Sequence, residues 1–167
     1  MGVDDIGTIA IRLGLAVVVG GLIGLNRDLH HKPAGVRTHA LVSLGTALMV
    51  LVILPPGSEL AHVDALSRVI QGVLTGIGFL GAGVILHDAG NGRVRGLTTA
   101  ATIWLTALIG VACGAGHYVA VAIAFVLGAL AVQFGGGLER AFRRRFPDPP
   151  RRRSALRHRH ARGTTSR

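Results

Sequence analysis

The chain has one cysteine, one tryptophan, one tyrosine and only eight acidic residues among 167. A lone Cys113 excludes an internal disulfide framework, and its place in an apolar run reads as a small buried side chain. The carboxylates are scattered, so none are paired for general acid–base work, and no Ser/His/Asp, HExxH or CxxC arrangement occurs. His30 and His31 are adjacent in a loop and read as solvated residues. No catalytic constellation, metal site or cofactor motif is left, and a non-enzymatic protein without metal or cofactor is expected.

Net positive charge is also missing from most of the chain. Residues 1–139 hold seven Lys/Arg and seven Asp/Glu and sum to zero, while residues 140–167 hold eleven Arg and one acid, Asp148. The formal charge of +10 therefore belongs to the tail alone (11 − 1). The protein divides by composition into a neutral apolar body, 1–139, and a basic tail, 140–167, that is proline-interrupted and expected to be disordered. Such a tail suits anionic lipid headgroups. It has no fold with which to read a base sequence, so nucleic acid is not an expected partner.

What the body does have is apolar length. Five segments, 6–25, 38–54, 69–86, 97–113 and 118–138, approach or reach the roughly 20 residues that cross a bilayer. Pro33, the Pro55-Pro56-Gly57 triplet and the segment 88–92 punctuate them. The N-terminus lacks the basic region of a cleaved signal peptide, so the first run is read as retained. Lys and Arg occur in the loops 26–37 and 87–96 and in the tail, and are absent from 1–5, 55–66 and 114–117. By the bias of positive residues toward the cytoplasmic side, the N-terminus lies outside and the C-terminus in the cytoplasm. The expected fold is an all-α integral membrane protein of five transmembrane helices with short loops.

Two spans carry polar and small residues in register. On the third, Gly72, Gly76 and Gly83 share a face with Arg68, Gln71 and Thr75, opposite an aliphatic arc of Ile70, Val73, Leu74, Ile77, Leu80 and Val84. Small and polar residues on one face suit packing against other helices. On the fourth, Thr99, Thr102, Thr106, Gly110 and Cys113 form a stripe opposite Leu97, Ala101, Trp104, Leu108 and Val111. Together these predict one interface, with the glycine face of the third span against the threonine stripe of the fourth. The stripe has two readings: interhelical hydrogen bonding, or a polar lining for an ion or proton route. Intramembrane or helix-end charges are Arg12, Asp64 and Arg68; the last two are spaced to meet on one helix face, and ionisable residues in spans are functional candidates. The match of Gly76–Gly81 to GxGxxG lies inside an apolar run without the preceding strand or the later acid of a dinucleotide site, which excludes that reading.

Several blocks in order, Gly20-Gly-Leu-Ile-Gly-Leu-Asn-Arg27, Lys32-Pro-Ala-Gly-Val-Arg-Thr-His39, Arg68-Val-Ile-Gln-Gly72, Gly76-Ile-Gly-Phe-Leu-Gly-Ala-Gly-Val-Ile85 and Arg95-Gly-Leu-Thr-Thr-Ala-Ala-Thr-Ile-Trp104, resemble the MgtC/SapB/YhiD family of bacterial membrane proteins over about residues 8–135. The resemblance implies a five-span plasma-membrane domain, often followed by a soluble cytosolic domain. It also implies a link to magnesium limitation, acid tolerance and intracellular survival, exerted through other membrane proteins such as the F-type ATP synthase. The family's polar positions fall here on Arg27, Arg37, Thr38, Arg68, Thr98, Thr99 and Trp104. Two departures stand out. Asn26 occupies the place where the family usually has Glu, and the 28-residue tail is too short for the cytosolic domain.

Three functional classes follow. The chain modulates another membrane protein, or associates with itself, through helix contacts. Alternatively it is a small ion or proton transporter with Thr75, Thr99, Thr102 and Thr106 along its path. The third class is a structural anchor for the basic tail.

Overall fold

In lipid a backbone group left without a partner costs several kcal/mol, so an apolar chain crosses the bilayer as helices that satisfy their own N–H and C=O groups. A computed structural model of the protein describes residues 3–56, 63–88 and 93–145. Among these residues five helices are long and apolar enough to span a membrane: α1 (Val3–Leu29), α2 (Val36–Ile53), α3 (Val63–Val84), α4 (Leu97–Ala115) and α5 (Tyr118–Arg145). Between α3 and α4 the chain forms a small antiparallel ribbon, β1 (Leu86–Asp88) and β2 (Arg93–Arg95), in which Leu86 pairs with Arg95. Sequence periodicity is silent about a ribbon of this length, and the expected plain loop is corrected to that extent.

Three helices outrun their expected C-terminal ends, α4 by only two residues to Ala115, and α3 begins at Val63, six residues before its expected start. α1 continues past residue 25 to Leu29, which brings Arg27 into the helix. α5 continues to Arg145 and takes in residues 140–145 of the segment expected to be disordered; the rest of that segment, 146–167, lies outside the described residues. Two compact units are distinguished, Met1–Val132 and Gln133–Arg167. The described part of the second is the helical run from Gln133 to Arg145.

Within the first unit, α2 is the centre of the packing, in contact with α1, α3 and α4, and α4 in turn touches α1 and α3. Small residues make this possible. A methyl group on Gly20 would lie 2.6 Å from the His39 carbonyl oxygen, and one on Gly24 would lie 2.5 Å from Val36 Cα. On α4, Gly110 and Gly114 meet the backbone of α2 at Ser43 and Ala47 in the same way. These are two small-xxx-small pairs, and each lets a helix backbone seat directly on α2. One apolar cluster joins Ala16 and Val19 of α1 to Ala47, Ile109, Cys113 and Val121; a second joins Val73 and Ile77 of α3 to Ile103 and Ala107 of α4.

The second cluster overturns the expected interface between α3 and α4. Gly72, Gly76 and Gly83 are exposed, with nothing within 4 Å of the position their Cβ would take. α3 packs on α4 through members of the arc expected to face lipid, Val73 and Ile77, and through Gly81, where an added methyl group would lie 3.5 Å from the Ala100 methyl. The reason lies on α4: its threonine stripe is already covered by α1 and α2, so the face left for α3 is the aliphatic one of Ile103 and Ala107. We predict that Gly24→Ala lowers stability by about 1–3 kcal/mol through overpacking against α2. Gly76→Ala should stay within about 0.5 kcal/mol of the parent. Thermal unfolding of both variants in one detergent checks the contrast.

Candidate functional site

Helical residues three and four apart share a face, so Arg12, Ala16, Val19, Gly20, Ile23, Gly24 and Arg27 form one stripe on α1. The glycines and Ala16 in its middle bring the neighbouring helices close, and its two ends are arginines. Arg27 Nη2 donates to Thr99 Oγ1 at 2.7 Å, in the first turn of α4. Arg12 Nη1 donates to the Gly114 carbonyl at 2.8 Å, in the last turn of the same helix. The two helices run antiparallel and are pinned at both ends, 15 residues apart on each (27 − 12 and 114 − 99), or about 22 Å.

At one end the arginine meets what a helix C-terminus needs. Unpaired carbonyls carry the negative end of the helix dipole, and a cation there is favourable. Gly116, with φ +80°, closes α4 in a left-handed turn beneath the Arg12 guanidinium. Arg12 thus ends on a helix terminus instead of reaching to headgroups.

At the other end a charge is enclosed. Arg27 is only 4% exposed, and its Nε is buried without a hydrogen-bond partner. The neighbouring carboxylate does not serve it: Asp28 Oδ2 accepts from the Val36 amide at 3.0 Å and takes over the N-terminal capping of α2 that Gly35, without a side chain, does not supply. Asn26 brings no negative charge. Asn26 and Arg27 line a cavity of about 220 Å³ between α1, α4 and α5, together with Thr102, Leu22, Ile23 and Phe125.

From Arg27 a polar column runs through the interior. Thr99, Thr102 and Thr106 of α4 are buried, as are His39, Ser43 and Thr46 of α2. Most hydroxyls are committed to their own helix. Thr102 donates to the Thr99 carbonyl and Thr106 to the Thr102 carbonyl, each at 2.8 Å, and Thr46 donates to Val42 and Ser43. His39 Nδ1 lies 3.0 Å from the Gly35 carbonyl. His39 Nε2 and Ser43 Oγ are buried without partners.

The sequence candidates divide sharply. Arg27 and Thr99 meet, and Thr102, Thr106 and Gly110 lie in the same interior. Arg37, Thr38, Arg68, Thr98 and Trp104 are exposed, as are Asp64, Gln71 and Thr75. Thr75 therefore stands apart from the other threonines of the expected path, with its hydroxyl on the Gln71 carbonyl at 2.9 Å. Sequence reasoning missed His39, Ser43 and the pairs Gly20/Gly24 and Gly110/Gly114. The four-residue glycine spacing was a usable signal, and so was a histidine inside an apolar run. Among the described residues no group of three or more His, Cys, Asp or Glu side chains is placed to hold a metal ion.

Five apolar helices among the described residues, with a narrow polar interior between α1, α2 and α4, define a multi-pass integral membrane protein of the helical-bundle class. The chain belongs to the MgtC family, whose family model matches residues 13–145. It is 51% identical to protein SrpB of Synechococcus elongatus over 116 residues, covering 65% of this chain and 64% of that one. Protein MgtC of Brucella abortus (strain 2308) is 45% identical over 121 residues, 71% of this chain and 48% of that one. YhiD of Escherichia coli (strain K12), provisionally named as a magnesium transporter, is 44% identical over 112 residues, 65% of this chain and 51% of its own. The chain thus spans about half to two thirds of the length of the curated relatives it matches. No solved structure matches.

Thr99→Val should destabilise the protein by about 1.5–3 kcal/mol, because it removes the partner of a buried guanidinium. In a double-mutant cycle with Arg27→Met, the second change should cost less in the Thr99→Val background than in the parent. Additive losses in detergent unfolding would contradict the pairing.

Proposed function

We propose that the protein is a non-enzymatic modulator of another membrane protein, acting in bacterial adaptation to magnesium limitation, acid or virulence-type stress. The observation that carries this reading is the outward face of α3. Gly72, Gly76 and Gly83 stand there with Gln71 and Thr75, all exposed, and all but Gly83 lie well inside the span Asp64–Val84. An amide facing hydrocarbon is costly, whereas small and polar residues on one face suit close contact with a second transmembrane helix. The polar interior supports the same reading, because the hydroxyls of Thr102 and Thr106 are held by backbone carbonyls.

The protein resides in the plasma membrane with its N-terminus outside and its C-terminus in the cytoplasm, the orientation that the lysines and arginines of the loops favour. The arginines of 140–167 then face anionic headgroups.

A transporter reading is favoured by one specific observation. His39 Nε2 and Ser43 Oγ are buried without partners in the same interior as Thr99, Thr102 and Thr106, and free polar atoms in a span are what a transferred ion or proton would use. The Escherichia coli (strain K12) relative named for magnesium transport is compatible with either reading.

Photocrosslinkers at Gly72 and Gly76 should capture a specific membrane partner, while the same probe at Val126 on α5 should not. Equal, unspecific labelling at all three positions would count against the modulator. Flux in proteoliposomes that disappears on Thr102→Val, with unfolding unchanged, would establish the transporter instead.

A further inference from the structure

Arg27 raises a problem of charge balance that the helix bundle does not solve. Among the described residues its guanidinium hydrogen-bonds to a neutral hydroxyl, its Nε is buried and unpartnered, and no carboxylate pairs with it. An enclosed charge without a counter-charge costs several kcal/mol even after relaxation, so a ligand that brings negative charge to this point is strongly favoured.

The shape of the surroundings says what carries that charge. Arg27 and Asn26 form the polar end of the 220 Å³ cavity, and Leu22, Leu105, Phe125 and Val132 form its walls. Phe125 also lines a second, apolar cavity between α1 and α5, which reaches Ile11 and Tyr118. The two cavities follow one seam, because α5 is seated on the bundle chiefly by Val121, with Ala124 and Phe125 packed beside it. From Arg27 to Ile11 is 16 residues of α1 (27 − 11), about 24 Å at the helical rise. One leaflet of hydrocarbon is roughly 15 Å deep, so the seam is long enough for a whole acyl chain.

We propose that the seam between α1 and α5 is a binding site for one anionic phospholipid, with its phosphate on Arg27 and an acyl chain laid past Leu22 and Phe125. A free anion matches the arginine but leaves the apolar seam unfilled. A zwitterionic lipid fills the seam but brings no net charge to Arg27. The site is separate from the outward face of α3, and it stands whether the protein modulates a partner or conducts an ion.

Native mass spectrometry of the whole protein, from micelles with equal amounts of phosphatidylglycerol and phosphatidylcholine, tests the proposal. The parent should retain one phosphatidylglycerol with at least tenfold preference, and Arg27→Gln should lose that preference. Because Arg27 also holds Thr99, a second variant leaves the arginine intact. Ala129 is exposed and lines the cavity, so Ala129→Trp should block it and reduce lipid retention at least tenfold with thermal unfolding unchanged. Equal retention of the two lipids by the parent overturns the proposal. So does full retention by Ala129→Trp, or complete displacement of the lipid by millimolar inorganic phosphate.

Discussion

The register between α1 and α4 rests on two arginines of one helix stripe, each reaching one end of the same partner helix. An arginine in a bilayer has few places to go: water at the interface, a counter-charge, or the unpaired groups of a helix end. Arg12 takes the carbonyl end of α4 and Arg27 takes the hydroxyl in its first turn. Because both contacts come from one rigid helix, sliding α4 by a turn would break both at once. The intervening glycines then seat α2 against both helices, and the buried hydroxyls line up as a consequence.

The same arrangement separates the polar groups that serve the fold from those left for other work. Asp28 caps α2, Thr46, Thr102 and Thr106 hold their own helices, and Arg12 caps α4. Ser/Thr hydroxyls that bond back to the preceding turn are a common way for helices to carry polar side chains inside a membrane. Among the described residues the remainder is small: the Nε of Arg12, the enclosed charge of Arg27, the free atoms of His39 and Ser43, and the outward Gly/Thr face of α3.

Asn26 lines the cavity beside Arg27 without bringing a charge to it. A glutamate there would place a carboxylate one residue from Arg27, in the wall of the same cavity. With asparagine, and with Asp28 committed to the α2 amide, that end of the bundle keeps its positive charge.

By itself the sequence determined the membrane residence, the five spans and the family. These follow from apolar length, from the spacing of breakers and from blocks of residues in order, all of which are one-dimensional properties. It also marked the threonine stripe as a face, since a period of 3.6 is visible along a single helix. Only the tertiary structure decided which face meets which. In lipid, aliphatic and glycine faces are both compatible with burial, because hydrocarbon outside the protein is as apolar as a leucine inside it. The pattern on α3 therefore carried no information about its partner, and Val73 and Ile77, not Gly72 and Gly76, turned inward once α1 and α2 had covered the threonines of α4. The pairing of Arg27 with Thr99, 72 residues apart, was likewise hidden, because a contact across that distance belongs to the packing of helices and leaves no period in the chain.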